Sequence, residues 1–353
     1  MVELADLTAA WGVHRGWCGV SSRRQQSIVP PLVRSGRNDP KMWSQAASRE
    51  LLPPIPKSLQ KMSAMLTAEK RDEELPPDAV QEGNRQWWTK NPMTYDWRGD
   101  IDCPRLSSEW FDRIDARFMY GARLFATKNT PFDRILPATE LEGKRVLEIG
   151  CGMGLHTEIL ARSGATVTAI DLTSTAVEAT SARLALKGLS ATVRQADAEQ
   201  LPFDSESFDF VWSWGVIHHS ARTGRVVREI ARVLTPDGRC RVMVYNREGM
   251  SARVALIRDH ILKGKFLHQS YDETLWRFTD GFTARYYVRE QFEDLFRAFF
   301  DDVNSEICGQ DADVIPLPGK LRRTMLHFVP RSYLETAQAR RGSFIFLTAA
   351  GPS

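Results

Sequence analysis

Paired cysteines, long apolar runs and a strong excess of one charge are all missing from this sequence of 353 residues. The five cysteines include no Cys-x-x-Cys pair, which argues against both a disulfide framework and a zinc site and suits a reducing compartment. No apolar run approaches the length of a membrane span, and the first residues lack the basic stretch and apolar core of a secretory signal. These absences predict a cytoplasmic protein.

The charge balance also limits the choice of partners. Lys and Arg number 47 against 44 Asp and Glu, a formal net charge of +3, and the basic residues form no clustered stripe. Proteins that bind nucleic acids or anionic surfaces concentrate basic charge on one face. We therefore expect no nucleic-acid partner and no membrane partner, and a small molecule as the substrate.

Composition divides the chain into three parts. Residues 1–80 contain three Pro-Pro pairs and little periodic apolar pattern, so we expect a poorly ordered N-terminal extension, or alternatively a true start further along the chain. Residues 81–140 have apolar residues at helical spacing and are predicted to form an N-terminal helical cap. The remainder, 141–353, alternates strands with helices and has insertions near 247–284 and 311–341. Such alternation predicts a parallel sheet with helices on both faces.

A glycine-rich loop provides the strongest functional signal. Gly150, Gly152 and Gly154 stand at alternate positions between a predicted strand and a predicted helix. Without Cβ atoms the backbone can turn sharply and a ligand can approach closely, and the free N–H groups of the helix start favour an anionic group. The dinucleotide-binding pattern is Gly-x-Gly-x-x-Gly. Because Leu155 stands where its third glycine would be, the loop fits a pyrophosphate poorly.

Residues 143–245 resemble the core of class I S-adenosylmethionine-dependent methyltransferases, in particular the type 11 group. The resemblance implies a Rossmann-like, seven-stranded, mostly parallel sheet whose last strand is antiparallel. It also implies that the glycine loop holds the amino-acid end of S-adenosylmethionine. The candidate cofactor-binding residues are Glu148, Gly150, Cys151, Gly152, Gly154, Asp171, Leu172, Asp197, Ala198, Ser213 and Trp214.

Two acidic residues end successive predicted strands. Asp171 follows the second strand, where a carboxylate can accept hydrogen bonds from both hydroxyls of a ribose. The alternative is an N-cap of the following helix, and the strand-end position beside the glycine loop favours the ribose. Asp197 ends the third strand, and the resemblance implies that it accepts a hydrogen bond from the adenine amine. The alternative interpretation is that Asp197 is a solvated acidic residue in a loop.

Candidates for the acceptor side are less specific. His218 and His219 follow the fourth strand and would provide a general base, although a structural role that closes the strand is favoured. Large aromatic residues before the core, and one after the first insertion, are candidates for an acceptor pocket; their ordinary role is to pack over the sheet edge. These residues are Trp88, Tyr95, Trp97 and Tyr286.

The sequence thus predicts methyl transfer from S-adenosylmethionine to an oxygen, nitrogen or carbon of a small-molecule acceptor by in-line displacement. No metal-ligand pattern is found, and the sulfonium chemistry requires none. The alternatives are an NAD-dependent oxidoreductase on a similar sheet and a relative that binds the cofactor without catalysis. Leu155 and the strand-like run GSFIFLTAA at the end of the sequence argue against the oxidoreductase.

Overall fold

The computed structural model of the protein describes residues 75–95, 101–126, 132–315, 317, 319–326 and 328–353. Most of the predicted extension over 1–80 lies outside these residues, and so does Trp97. Among the described residues, no helix combines the length and apolarity needed to cross a membrane.

One eight-stranded sheet forms the centre of the fold, in the order β3-β2-β1-β4-β5-β8-β7, with the short β6 paired to β5. All neighbouring strands are parallel except β8, which runs antiparallel to both β5 and β7. The predicted fold class is therefore confirmed, and β6 is an addition to the seven expected strands. The strands are β1 (Arg145–Ile149), β2 (Thr166–Asp171), β3 (Thr192–Gln195), β4 (Phe208–Trp214), β5 (Leu234–Asn246), β6 (Tyr286–Tyr287), β7 (Phe300–Cys308) and β8 (Phe344–Pro352).

Helices cover both faces of this sheet. The described helices are α1 (Pro77–Lys90), α2 (Ser108–Ala122), α3 (Leu155–Arg162), α4 (Ser174–Lys187), α5 (Thr223–Val233), α6 (Met250–Ala255), α7 (Tyr271–Phe278), α8 (Arg289–Arg297), α9 (Asp311–Val314), α10 (Gly319–Leu326) and α11 (Arg331–Arg341). Short helical turns lie between several of them, including the 3-10 turn Ile217–His219 that follows β4.

Alternate side chains of the strands enter two separate cores. On β8, Ile345 and Leu347 pack with α5 and α8 on one face, whereas Phe344 and Phe346 pack with Leu160 of α3 on the other. A strand points successive side chains to opposite faces, so continuous apolar runs such as FIFL are buried on both. This double burial matches the interior position of β8 in the sheet, between β5 and β7.

One segment departs from its local sequence preference. Thr235–Gly238 has the proline-aspartate-glycine pattern of a turn, but it lies within β5. Pairing with β4 moves from Leu234 opposite Phe208 to Arg239 opposite Phe210, so the additional residues form an irregular bulge. A proline and a glycine are tolerated in a strand at such a bulge, because ladder hydrogen bonds are interrupted there.

Candidate functional site

A large cavity opens at the carboxyl ends of the parallel strands. Its walls include the glycine loop, the ends of β2 and β4, the start of the segment after β3, and side chains from α1, α2 and the 247–284 insertion. Open α/β sheets bind ligands at this edge. The structure therefore brings the residues predicted from three separate strand ends to one place.

The glycine loop has the backbone that its sequence predicts. Gly150 and Gly152 have φ angles of +83° and +52°, a region that residues with side chains rarely adopt. A Cβ at Gly150 would lie 2.1 Å from Cγ2 of Val216, so this glycine permits close packing against the segment after β4. A Cβ at Gly152 would meet no atom within 4 Å. Gly152 thus leaves free space on the cavity side of the loop.

Asp171 links the loop to the end of β2. Its Oδ2 accepts a hydrogen bond from the Gly152 N–H at 3.1 Å, and its Oδ1 accepts from the Thr173 N–H and hydroxyl, both at 3.0 Å. Desolvation raises the pKa of Asp171, while the hydrogen bonds from Thr173 and Gly152 lower it. The N-cap of α4 is Thr173, whose hydroxyl accepts from Ala176 N–H. Asp171 therefore organises the loop, and it lines the cavity together with Leu172.

Glu148 lies beneath the loop and is not among the residues that line the cavity. It is 1% exposed, and its Oε2 accepts a hydrogen bond of 2.5 Å from the Thr157 hydroxyl. Burial raises the pKa of Glu148 to about 8, and the nearby charge of Asp171 raises it further. A protonated Glu148 at neutral pH ties β1 to α3 without a buried charge. Cys151 does line the cavity, and burial raises the pKa of its thiol well above the ordinary value.

At the end of β3, the cavity is lined by Ala196 and Ala198, and the Asp197 side chain is turned towards α1. Asp197 Oδ1 accepts hydrogen bonds of 2.9 Å from Gln81 Nε2 and from the Glu199 N–H. The Glu199 contact is a local turn hydrogen bond, so it is the Gln81 contact that distinguishes Asp197 from a solvated loop acid. Asp197 thus connects the third strand end to α1.

At the end of β4, Trp214 lines the cavity and Ser213 does not. Ser213 is fully buried and donates a hydrogen bond of 3.2 Å to the Ile149 carbonyl. Trp214 packs edge-to-face against Phe118, Phe125 and Phe132. Ser213 therefore supports the glycine loop from below, whereas Trp214 forms part of the cavity wall.

The two neighbouring histidines occupy different environments. His218 is fully buried, and neither of its ring nitrogens has a hydrogen-bond partner in the part of the chain that the structure describes. Burial lowers its pKa well below the ordinary value. His219 lines the cavity, and its Nδ1 lies 2.6 Å from the Thr283 carbonyl. Burial lowers the pKa of His219 to about 4, with the Thr283 hydrogen bond opposing this effect. Both rings are therefore neutral near pH 7, and only His219 is placed to meet a ligand.

Of the four aromatic candidates, Trp88, Tyr95 and Tyr286 line the cavity. The Trp88 ring packs edge-to-face on His219 with centroids 5.1 Å apart, and Tyr95 stacks on Phe118 at 5.4 Å. Tyr286 packs against Tyr245 at 5.3 Å, and its hydroxyl lies 2.7 Å from the Thr279 hydroxyl. Aromatic rings thus form much of the cavity wall outside the glycine loop.

A buried charge cluster beside the loop was not predicted from the sequence. Arg183 of α4 is 1% exposed, and it pairs with Asp115 of α2 at 2.5 Å and with Glu158 of α3 at 2.8 Å. Its side chain also packs against Gly154, because a Cβ there would lie 3.1 Å from Arg183 Cδ. Nothing in the sequence indicated that Arg183 of α4 would pair with the distant Asp115 of α2.

The sequence analysis also missed several polar residues of the wall. Asn84 Nδ2 donates a hydrogen bond of 2.6 Å to the His219 carbonyl, and Gln81 Oε1 accepts from the Ala221 N–H at 3.3 Å. The only sequence signal that Gln81 and Asn84 face the same way was their spacing of one turn within the predicted helical cap. His156, at the start of α3 beside the loop, is 7% exposed, and its Nε2 has no hydrogen-bond partner among the described residues. Among the described residues, no cluster of three His, Cys, Asp or Glu side chains could hold a metal ion.

Comparison with known proteins identifies related sequences. Residues 147–242 match the family model described as a methyltransferase domain. A ubiquinone biosynthesis O-methyltransferase of Caulobacter sp. (strain K31) is 40% identical over 110 residues, which cover 31% of this chain and 44% of that protein. The enzyme of the same name from Methylocella silvestris is 33% identical over 156 residues, covering 44% and 59%. The chain spans about half the length of the curated relatives it matches.

Two solved structures are also similar. The [4+2]-cyclase SpnF is 19% identical, with 79% of this chain and 98% of that chain covered and a TM-score of 0.48. A Haemonchus contortus N-methyltransferase, solved with phosphomonomethylethanolamine and S-adenosylhomocysteine, is 20% identical, with 67% and 57% covered and a TM-score of 0.46. The sequence match agrees with the strand order and the glycine loop described above. Residues 147–242 of this chain are thus similar to a methyltransferase domain.

Proposed function

We propose that the chain transfers a methyl group from S-adenosylmethionine to an oxygen, nitrogen or carbon atom of a small-molecule acceptor by in-line displacement. The observation that carries this proposal is the free space beside Gly152, in a cavity that also takes in Asp171 and the ends of β3 and β4. A loop whose missing side chain leaves room, next to an acid at the following strand end, suits an adenosyl ligand.

In this proposal, the cofactor lies along the strand ends. The loop from Gly150 to Gly154, held from below by Glu148, takes the amino-acid end through backbone N–H groups at the start of α3. Asp171 Oδ2, which accepts one hydrogen bond from the Gly152 N–H, retains a lone pair for a ribose hydroxyl, whereas Oδ1 already accepts two from Thr173. Ala198 and Leu172 provide apolar contacts for the adenine. Asp197 accepts the adenine amine, sharing its carboxylate with Gln81.

When bound, S-adenosylmethionine supplies an activated methyl group on a sulfonium, so the chain's task is to position the acceptor and to exclude water. Trp214 and the aromatic wall that contains Trp88 and Tyr245 provide apolar surfaces for both purposes. Holding two reactants in line contributes roughly 7–11 kcal/mol to barrier reduction in well-oriented systems. Neutral His218 and His219 leave no cationic imidazole to repel the sulfonium.

The acceptor side is assigned to the segments outside the sheet. We propose that residues 81–140 form a helical cap on a methyltransferase domain of 141–353, with insertions near 247–284 and 311–341, acting in the cytoplasm without a nucleic-acid or membrane partner. Gln81 and Asn84 of the cap and Thr279 of the first insertion line the cavity, which supports this division. The O-methyltransferase names of the curated relatives favour oxygen among the three acceptor atoms.

A pair of glycine substitutions tests this function. Gly152→Ala adds a methyl group in the free space, while Gly188→Ala adds one at the end of α4, where a Cβ likewise meets nothing within 4 Å. Both glycines have positive φ angles, +52° and +64°, so both variants should lose a similar stability of about 1–2 kcal/mol. Only Gly152→Ala should lose affinity for S-adenosylhomocysteine, by at least about tenfold in calorimetry.

Catalysis is tested separately with a labelled methyl donor and pooled metabolites. We expect label to enter a small molecule with the wild-type protein and with Gly188→Ala, and much less with Gly152→Ala. Wild-type affinity for S-adenosylhomocysteine in Gly152→Ala would refute the placement of the cofactor. Tight binding without label transfer to any pool would favour a non-catalytic relative.

A further inference from the structure

The 3-10 turn after β4 presents one histidine to the cavity next to the glycine loop. His219 N–H donates to the Val216 carbonyl at 2.9 Å, and Val216 is the residue against which Gly150 packs. The ring of His219 therefore stands one turn away from the point where the loop meets β4. This position lies between the proposed cofactor side and the aromatic wall.

The tautomer of His219 follows from its hydrogen bond. Nδ1 lies 2.6 Å from the Thr283 carbonyl oxygen, which can only accept, so Nδ1 carries the proton of the neutral ring. Nε2 then has a lone pair. No group of the described residues hydrogen-bonds to Nε2, and Nε2 is not closed off from the cavity, in contrast to both nitrogens of His218.

The ring is also fixed in orientation. A Cβ at Gly281 would lie 2.6 Å from His219 Nδ1, so the backbone of the 247–284 insertion packs directly on this edge of the ring. Trp88 packs edge-to-face against it, and Asn84 holds the backbone of the same residue at 2.6 Å. A ring held by three separate segments, with one nitrogen satisfied and the other open, is preorganised to accept a hydrogen bond from a ligand.

We propose that His219 Nε2 is the hydrogen-bond acceptor and general base for a neutral hydroxyl group on the methyl acceptor. This inference rests on the proposed methyltransferase function and specifies its acceptor as protic. The hydroxyl oxygen forms the bond to the methyl carbon as the carbon–sulfur bond breaks and leaves its electron pair on sulfur. The hydroxyl proton passes to Nε2, and the imidazolium returns it to water after product release.

The aromatic wall indicates which kind of hydroxyl fits. Tyr245 and Tyr286 stack near the two histidines, and Trp88 and Trp214 bound the same space. Flat apolar rings recognise an aromatic ring by stacking and edge contacts. A hydroxyl on such a ring would remain mostly protonated near pH 7, because the phenol pKa resembles that of tyrosine, and it would therefore need a base.

Nitrogen-15 NMR of protein labelled at histidine tests this inference directly. The probes are phenol and its methyl ether anisole, each added to protein saturated with S-adenosylhomocysteine. We expect the free protein to show His219 with a protonated Nδ1 and a bare Nε2. Phenol should shift the Nε2 resonance, and anisole, which has no proton to donate, should leave it unchanged.

Two matched variants complete the test. His219→Gln should remove the responding resonance and weaken phenol binding about fivefold, the value of one hydrogen bond, with anisole binding and S-adenosylhomocysteine affinity within about twofold of wild type. His268→Gln, at an exposed histidine of the insertion, should leave the phenol response intact. A protonated Nε2, or normal S-adenosylhomocysteine binding with no phenol response, would overturn this inference. Absence of S-adenosylhomocysteine binding would instead overturn the proposed function.

Discussion

The two sides of the cavity are formed by different parts of the chain, backbone on one side and side chains on the other. The side that contains the glycine loop uses backbone: Gly150 and Gly152 adopt positive φ angles, and the N–H of Gly152 binds Asp171 across adjacent strand ends. The other side includes side chains from elements outside the parallel strands, such as Trp88 of α1 and Phe118 of α2. The first side depends on local sequence, whereas the second depends on how distant segments pack together.

This difference explains how one sheet can serve many acceptors. Backbone conformation at the strand ends is fixed by a few glycines and one carboxylate, so the proposed cofactor side tolerates little change. The aromatic side belongs to α1, α2 and the insertion after β5, which can vary without disturbing the strand order. Arg183 is the exception, since it joins Asp115 on α2 to Glu158 on α3.

The largest effect that we predict follows when the connection made by Arg183 is removed. Arg183→Met leaves the Asp115 and Glu158 carboxylates without their shared buried cation, and Asp115 lines the cavity. Removing one member of a buried ion pair costs about 3–5 kcal/mol. We therefore expect urea unfolding to show a loss of free energy of unfolding of this size.

The matched control is an exposed ion pair that reaches the same helix. Arg105, which precedes α2, pairs with Glu178 of α4 at 2.6 Å, and both side chains are about half exposed, 49% and 55%. Arg105→Met should leave the free energy of unfolding unchanged within error, because exposed pairs are screened by water. Equal losses in the two variants would show that Arg183 does not act through its buried pairs.

A smaller effect, confined to the glycine-loop side, depends on pH. Burial raises the pKa of Glu148 to about 8 in the folded protein, against an ordinary value of 4.5. Between these values the folded state binds a proton that the unfolded state has released, so this carboxyl lowers stability as pH rises, by at most about 1.4 kcal/mol per pH unit. Its stabilising contribution is complete below pH 4.5 and lost as pH passes through about 8.

Glu148→Gln isolates this contribution, because the amide resembles the protonated acid and can still accept from the Thr157 hydroxyl. Wild type should lose stability relative to the variant as the pH of chemical denaturation rises from about 5 to 8. Taking the difference between the two proteins cancels the buried Asp313, whose pKa burial raises to about 7 with the same sign of effect. A difference that does not vary with pH would mean that Glu148 is ionised in the folded protein.

Much of the glycine-loop side could be predicted from sequence because its signals are local. Alternating strands and helices predicted the parallel sheet, the resemblance supplied the antiparallel β8, and the spacing of Gly150, Gly152 and Gly154 predicted the positive-φ loop. Asp171 was predicted at the end of β2, where the structure places it in the cavity wall.

The features of the site that were not predicted depend on contacts between residues far apart in the chain. Gln81 and Asp197 are 116 residues apart, and Arg183 and Asp115 are 68 apart, so no local pattern could pair them. His218 and His219 are adjacent in sequence, yet only packing by Gly281 and Trp88 distinguishes their roles. At Thr235–Gly238, pairing of β5 with β4 outweighs the local preference of proline and glycine for a turn.

The most direct test of the account is calorimetric titration of the protein with S-adenosylhomocysteine and, separately, with NAD. The account predicts saturable binding of S-adenosylhomocysteine alone, and loss of that binding in Asp171→Ala, whose circular dichroism should still show the folded sheet. Binding of NAD in place of S-adenosylhomocysteine, or near-normal S-adenosylhomocysteine affinity in Asp171→Ala, would contradict it.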